Sequence, residues 1–241
     1  MNQGYREDLA HIHDVGFGAF AEQAAVGLLA VFREHGINDG LIIDVGCGSG
    51  IWAKELVEQG YQVLGIDLSS NMIAIARGRA PGAEFRVQSS LSAELPPCQA
   101  ITALGEVLNY QFDETNSRDN VIGFIHRAYE ALQPGGLFVF DLAAPGRNQS
   151  PHQSFREGPD WACLVQYDHD DTRQQLTRSI VTYRKTGDLY RRDEETHRLQ
   201  LYYSEEIMES LQETGFKAQT VDHYGEFQFP EAWVGYVCCK G

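Results

Sequence analysis

Apolar residues recur in two rhythms along this chain. From Phe20 to Phe32 they stand three and four apart (Phe20, Ala24, Leu28, Val31, Phe32), which predicts a helix that stops near Gly36. Beyond Gly36, short apolar runs alternate with helix-period segments. Strands are expected at LIIDV (41–45), YQVLGID (61–67), AEFRV (83–87), QAITALG (99–105) and LFVFDL (137–142). Helices are expected at 51–60, at 69–80 with Ser69 or Ser70 as N-cap, and from Arg118 to before Pro134. This β-α-β-α order predicts a parallel sheet with helices on both faces.

After Pro145 the rhythm changes to a period of two. The segments 161–169, 175–187 and 189–203 are long and β-rich, with a hairpin-type turn at 186–188 and no helix between them. They read as an antiparallel sheet inserted into the α/β unit. Residues 204–215 read as a helix with Ser204 as N-cap and Gly215 at its end, and 216–224 with 233–240 as a closing strand pair. The expected division is an N-terminal helical lid (1–38), an α/β core (39–146), the β insertion (147–203) and a helix with a strand pair that completes the core (204–241).

Composition sharpens this reading. Hydrophobic residues make up 43% and charged residues 22%, enough apolar material for a real core. The net charge of −15 repels phosphate backbones, and no Lys/Arg cluster interrupts it, so nucleic acid is not an expected partner. No run approaches the roughly 18–20 apolar residues of a membrane span, and the N-terminus lacks the pattern of a signal peptide. Five cysteines, an odd number with no C-x-x-C, fit a reducing cytoplasm. HIHD (11–14) and DHDD (168–171) offer metal-ligand types, but the second reads as a polar hairpin turn, and no metal is expected. A homodimer is left open.

The chemistry starts at LIIDVGCGSG (41–50), where a strand runs into Gly46, Gly48 and Gly50. A dinucleotide loop needs a third glycine or alanine at position 51, where Ile51 stands, and Asp44 would repel a pyrophosphate. The loop suits a ligand that carries positive charge. Residues 44–50 resemble motif I of the class I S-adenosylmethionine-dependent methyltransferases. Asp67 resembles the acid that ends the second strand in that family, and ALQPGGLFVF (131–140) resembles the segment entering the fifth strand. The segment EETHR at 194–198 is similar to the β-lobe of aminosugar N-methyltransferases. The resemblance implies a Rossmann-like, seven-stranded, mostly parallel sheet with helices on both faces, an N-terminal lid and an antiparallel insertion after the fifth strand. It also implies S-adenosylmethionine as cofactor. Asp44, Gly46, Cys47, Gly48 and Gly50 would hold it at the turn, Asp67, Leu68 and Met72 at the ribose and adenine, and Gly105 and Leu108 after the fourth strand. Ser89, Ser90 and Leu91 occupy the adenine edge, where many relatives carry an acid.

The implied activity is methyl transfer to a nitrogen or oxygen of a small molecule. Tyr5, Phe17, Glu106, Asn109, Tyr110 and Arg198 are the expected acceptor contacts. A base is needed only if the acceptor must lose a proton. The sequence assigns no catalytic residue and offers Glu106, His197 and His11 as candidates, with His13 beside the last. Three rivals stand against this reading: a nicotinamide-dependent reductase, a non-enzymatic or degenerate cofactor-binding module, and a protein or RNA methyltransferase, which would need an open acceptor groove or a basic surface.

Overall fold

The computed structural model describes residues 4–112 and 116–241. Residues 1–3 of the expected lid and Asp113 lie outside that description. The first two helices are α1 (Glu7–Phe17) and α2 (Ala19–Glu34). They bend by 58° at Gly18, which divides the one helix expected before Gly36. Among the described residues no single helix is long and apolar enough to cross a membrane.

Strands β1 (Leu41–Val45), β2 (Gln62–Asp67), β3 (Glu84–Val87) and β4 (Cys98–Ala103) follow, with α3 (Ile51–Glu58) and α4 (Ser70–Arg79) between them. Helix α5 (Arg118–Ala131) leads into β5 (Leu132–Ala143). The chain closes with α6 (Ser204–Thr214), β10 (Phe216–Val221), the short pair β11 (His223–Tyr224) and β12 (Phe227–Gln228), and β13 (Trp233–Lys240). The main sheet has seven strands in the order β10-β13-β5-β4-β1-β2-β3. Pairing is parallel from β3 to β5 and antiparallel at β13 and β10.

Both sheet faces are covered, so each strand reads as an unbroken apolar run, yet its side chains still alternate. Ile43, Phe138 and Phe140 pack with Phe124 of α5 and Leu211 of α6. Ile42, Leu137 and Val139 pack with Leu28 and Phe32 of α2 and Trp52 of α3. Ser69 caps α4, its Oγ accepting from Met72 N at 3.2 Å. Ser204 does not cap α6. It is the first helical residue, after Tyr203, and its Oγ lies 3.1 Å from the Tyr236 hydroxyl.

The inserted lobe is a meander of β6 (Gln153–Gly158), β7 (Trp161–Asp170), β8 (Gln175–Thr186) and β9 (Leu189–Gln200). Strand β6 is missing from the sequence reading because its buried-exposed pattern barely alternates: Phe155, Arg156 and Glu157 are all exposed. DHDD is only partly a turn, since β7 runs through Asp170. Residues 1–38 divide between two neighbours. Leu9 and Ile12 of α1 pack on Trp161, Cys163 and Ile180 of the lobe, whereas α2 belongs to the core. The lobe joins the core where Tyr110 bridges Leu199 and Gln111 N donates to Arg198 O at 2.8 Å.

Candidate active site

In an open parallel sheet the crevice opens beyond the carboxyl ends of the strands, where strand order reverses, here between β1 and β4. A cavity of about 600 Å³ lies there, between those strand ends, α1 and the inner face of the lobe. Its size is that of a small-molecule site.

The floor is the turn after β1. Gly46 and Gly48 have φ of +68° and +52°, in the left-handed region. A Cβ on Gly46 would meet Val107 Cγ1 at 2.4 Å, so that glycine lets the two loops touch. A Cβ on Gly48 would meet no protein atom within 4 Å, so its bare backbone faces open cavity. Gly50 does not line the cavity, contrary to expectation. Its φ is +77°, and a Cβ there would meet Ala76 at 2.9 Å, so its bareness serves the packing of α3 on α4.

Asp67 ends β2 against this turn. One carboxylate oxygen accepts from Gly48 N at 2.9 Å and the other from Ser69 N at 2.8 Å. A carboxylate has about four acceptor sites, so two remain. Burial raises its pKa, against those backbone donors. Asp44 is also buried and accepts from Thr102 Oγ1 at 2.9 Å, while Trp52 Nε1 donates to the same oxygen at 3.2 Å. Burial pushes the Asp44 carboxyl up to about 7, and the nearby Asp67 adds to the rise. Cys47, Leu68, Met72, Ser89, Ser90 and Leu91 complete this end of the wall.

The segment after β4 forms the middle. Gly105 N (2.9 Å) and Glu106 N (2.6 Å) donate to the buried Asp141, which also accepts from Trp233 Nε1 at 2.7 Å. Burial raises Asp141 to about 7 in spite of these donors. Gly105, Glu106, Leu108 and Tyr110 line the cavity, but Asn109 does not. Its amide is spent on backbone: Ala143 N donates to its oxygen at 2.9 Å, and its nitrogen donates to Ala143 O and Gln200 O.

The acceptor end is walled by α1 and the lobe. Leu9, His13 and Phe17 stand four apart on α1 and face inward; His11 and Val15 lie on another face, beside a separate groove with Arg156 and Glu157. His11 is therefore outside the cavity and is no base for it. Arg198 fails for the same kind of reason: strand alternation exposes it between inward-facing His197 and Leu199. Tyr5 straps lid to both neighbours. Tyr5 N and Arg6 N donate to the two Glu195 oxygens at 2.7 and 2.8 Å, and Ser69 Oγ donates to Tyr5 O at 2.8 Å.

Of the three base candidates, Glu106 is excluded by its partners. Arg147 Nε and Arg178 Nη2 hold its two oxygens at 2.5 and 2.6 Å. Burial would raise its pKa, but the two guanidiniums outweigh burial and lower it, so Glu106 stays a bound carboxylate. His197 lines the cavity and lies 2.9 Å, through Nε2, from Glu195 Oε2. A carboxylate only accepts, so Nε2 donates and Nδ1 carries the lone pair. Burial lowers the His197 pKa and the Glu195 bond only partly restores it, which leaves the ring neutral. The rings of Tyr5 and Phe112 enclose it at 5.0 and 4.6 Å.

Arg147 and Arg178 were not singled out in the sequence. Arg178 had a legible signal: in QLTRSIVT it shares its strand face with Leu176 and Ile180, an inward position for a charge. Arg147, in the loop after β5, had none.

A model of a methyltransferase domain matches residues 42–136. A protein of Geobacillus sp. (strain WCH70) named as a methyltransferase is 30% identical over 187 residues, 73% of each chain. This chain belongs to the methyltransferase family. An S-adenosylmethionine-dependent methyltransferase from Clostridium acetobutylicum ATCC 824 shares the fold with a TM-score of 0.81 at 19% identity, covering 96% of this chain and 97% of that one. CalS10, an amino pentose methyltransferase from Micromonospora echinaspora solved with S-adenosylmethionine bound, gives a TM-score of 0.78 at 17% identity over the whole of both chains.

Proposed function

We propose that this methyltransferase uses S-adenosylmethionine and moves its methyl group to a nitrogen or oxygen of a small molecule enclosed beneath the lobe. The observation that supports this most is the continuity of the cavity, which runs from the Gly46–Gly48 turn and Asp67 to His197 on β9. The residues fit the cofactor. Gly48 presents a cradle that a Cβ would fill, Asp67 keeps two acceptor sites for ribose hydroxyls, and Asp44 offers a buried carboxyl to an ammonium. Ser89 and Ser90 take the adenine edge. The cofactor supplies a methyl group on a good leaving group, so alignment and exclusion of water can carry most of the rate.

The chain's own contribution is enclosure and proton handling. Tyr5, Phe17 and Tyr110 cover the acceptor; Glu195 holds Tyr5 through its backbone N–H, and the Tyr5 hydroxyl lies 3.1 Å from that of Tyr110. His197 Nδ1 takes the proton of an acceptor that must lose one, with Glu195 fixing its tautomer. The enclosed site and the charge of −15 favour a small acceptor over a nucleic acid.

Titration calorimetry with S-adenosylmethionine, S-adenosylhomocysteine and NADH tests the cofactor. Binding of the first two alone supports the reading, and NADH binding instead supports the reductase. Release of S-adenosylhomocysteine over a panel of amines, alcohols and carboxylic acids then tests turnover. Binding without turnover on any of them would favour the non-enzymatic module. With an acceptor in hand, His197→Asn should lower kcat with little change in KM and remove the acid limb of the pH profile.

A further inference from the structure

The acceptor end of the cavity holds more positive charge than it neutralises. Arg147 and Arg178 share one carboxylate, Glu106, which leaves this buried cluster at net +1. The other acids near the cavity are engaged elsewhere: Asp141 with backbone and Trp233, Asp67 with Gly48 and Ser69, Asp44 with Thr102, and Glu195 with Tyr5 N, Arg6 and His197. The two cavity histidines do not add to the charge, because burial lowers His13 to about 4 and lowers His197 as well.

The two arginines differ in what they have left to give. Arg178 donates to Glu106, to the Tyr110 hydroxyl at 3.1 Å and to Asn148 Oδ1 at 3.1 Å. Arg147 donates only through Nε, to Glu106. Its guanidinium lies 5.0 Å over the Trp233 ring, and among the described residues its two terminal nitrogens have no hydrogen-bond partner. The side chain is 11% exposed and lines the cavity. A largely buried guanidinium whose free planar edge opens on the cavity is built for an oxyanion.

We propose that the methyl acceptor carries an oxyanion, a carboxylate or a phosphate, that seats on the terminal nitrogens of Arg147 beside Arg178. This rests on the cavity being the acceptor site of the methyltransferase proposed above. Glu106 then acts as the internal counter-ion: it holds one guanidinium on each of its oxygens and competes with the incoming anion.

That arrangement predicts effects of opposite sign. Calorimetry would use protein saturated with S-adenosylhomocysteine, with citrate and inorganic pyrophosphate as probes and sodium chloride at matched ionic strength as blank. One probe should bind, and the tighter one identifies the anion class. Arg147→Gln should weaken that binding about 10- to 100-fold, the effect of losing a charged hydrogen bond, and Arg147→Lys should restore part of it. Glu106→Gln should strengthen it, because a competing carboxylate is gone. A merely structural cluster would lose binding in both variants, which overturns the proposal. So does the absence of binding by either probe while S-adenosylhomocysteine still binds. Loss of S-adenosylhomocysteine affinity in Arg147→Gln overturns it too, by assigning the guanidinium to the cofactor. Failure of the wild-type protein to bind S-adenosylhomocysteine would instead sink the methyltransferase reading itself.

Discussion

Cofactor affinity should rise with pH and level off above neutrality, and Asp44 is the reason. Burial holds its carboxyl at about 7, and the one hydrogen bond from Thr102 offsets only part of that. An ammonium beside Asp44 favours the carboxylate, so the complex has a lower pKa than the free protein. The free protein then binds more protons than the complex below about pH 7. By linkage, affinity grows as pH rises through about 7, where it reaches about half its plateau, and levels off about one unit higher. With a pKa of about 7, roughly one free molecule in ten carries the charge at pH 6, so the binding constant should be about tenfold below its plateau, or about 1.4 kcal/mol. Calorimetry with S-adenosylhomocysteine, which keeps the ammonium, checks this at pH 5.5, 6.5 and 7.5 in two buffers of different ionisation enthalpy. Proton release should approach one per ligand at the lowest pH. Asp67 titrates in the same crevice with a raised pKa, so the curve belongs to the pair. Asp44→Asn should leave only the Asp67 part. A flat wild-type profile, or an Asp44→Asn profile superimposed on the wild type, would refute the reasoning.

The two glycines should separate binding from packing. Gly48→Ala should cost the left-handed strain of about 1–2 kcal/mol and at least tenfold in S-adenosylhomocysteine affinity, whereas Gly50→Ala, which overlaps Ala76, should lower Tm further and affinity less. Equal affinity losses in the two variants would show that Gly48 makes no cradle. Asp141→Ala strips the acceptor from Gly105 N, Glu106 N and Trp233 Nε1, and should destabilise by about 2–4 kcal/mol, a fall in Tm of about 5–15 °C. Glu195→Gln should speed amide hydrogen exchange at Tyr5 and Arg6 and lower kcat together, since one carboxylate holds both the strap and His197. Unchanged exchange there would uncouple the lid from the histidine.

What the sequence disclosed follows from how local each signal is. That the Gly46–Gly48 turn and Asp67 meet at one cavity was legible because each directly ends a neighbouring parallel strand. Gly50 misled because a glycine that lets backbone meet a ligand and one that lets two helices meet look alike in one dimension. His11 and Arg198 misled through a phase error of two residues on a helix and one on a strand, which moves a side chain to the opposite wall. The acceptor end was least legible because it is assembled from distant segments. Tyr5 and Glu195 lie 190 residues apart, and Arg178 and Glu106 lie 72 apart.

This separation also shapes the mechanism. The end proposed above for the cofactor is built from one stretch of chain, 44–108, on parallel strands packed on both faces. The acceptor end exists only when α1, the lobe and the loop after β5 are docked on one another. Its closure rests on the apolar contact of Leu9 and Ile12 with the lobe, on the Asp8 pairs with Arg184 and Arg191, and on polar contacts inside the cavity wall: Glu195 with the strap, Ser69 with Tyr5 O, and Glu106 with two arginines. Ser69 is the joint between the two ends. Its hydroxyl caps α4, its backbone N–H fixes Asp67, and it donates to the lid. A ribose hydroxyl that draws on Asp67 therefore acts on the residue that anchors the lid. In Ser69→Ala the strap should lose that anchor, so the bound cofactor should no longer slow hydrogen exchange at Tyr5. Protection of Tyr5 by S-adenosylhomocysteine as strong as in the wild type would show that the two ends close independently.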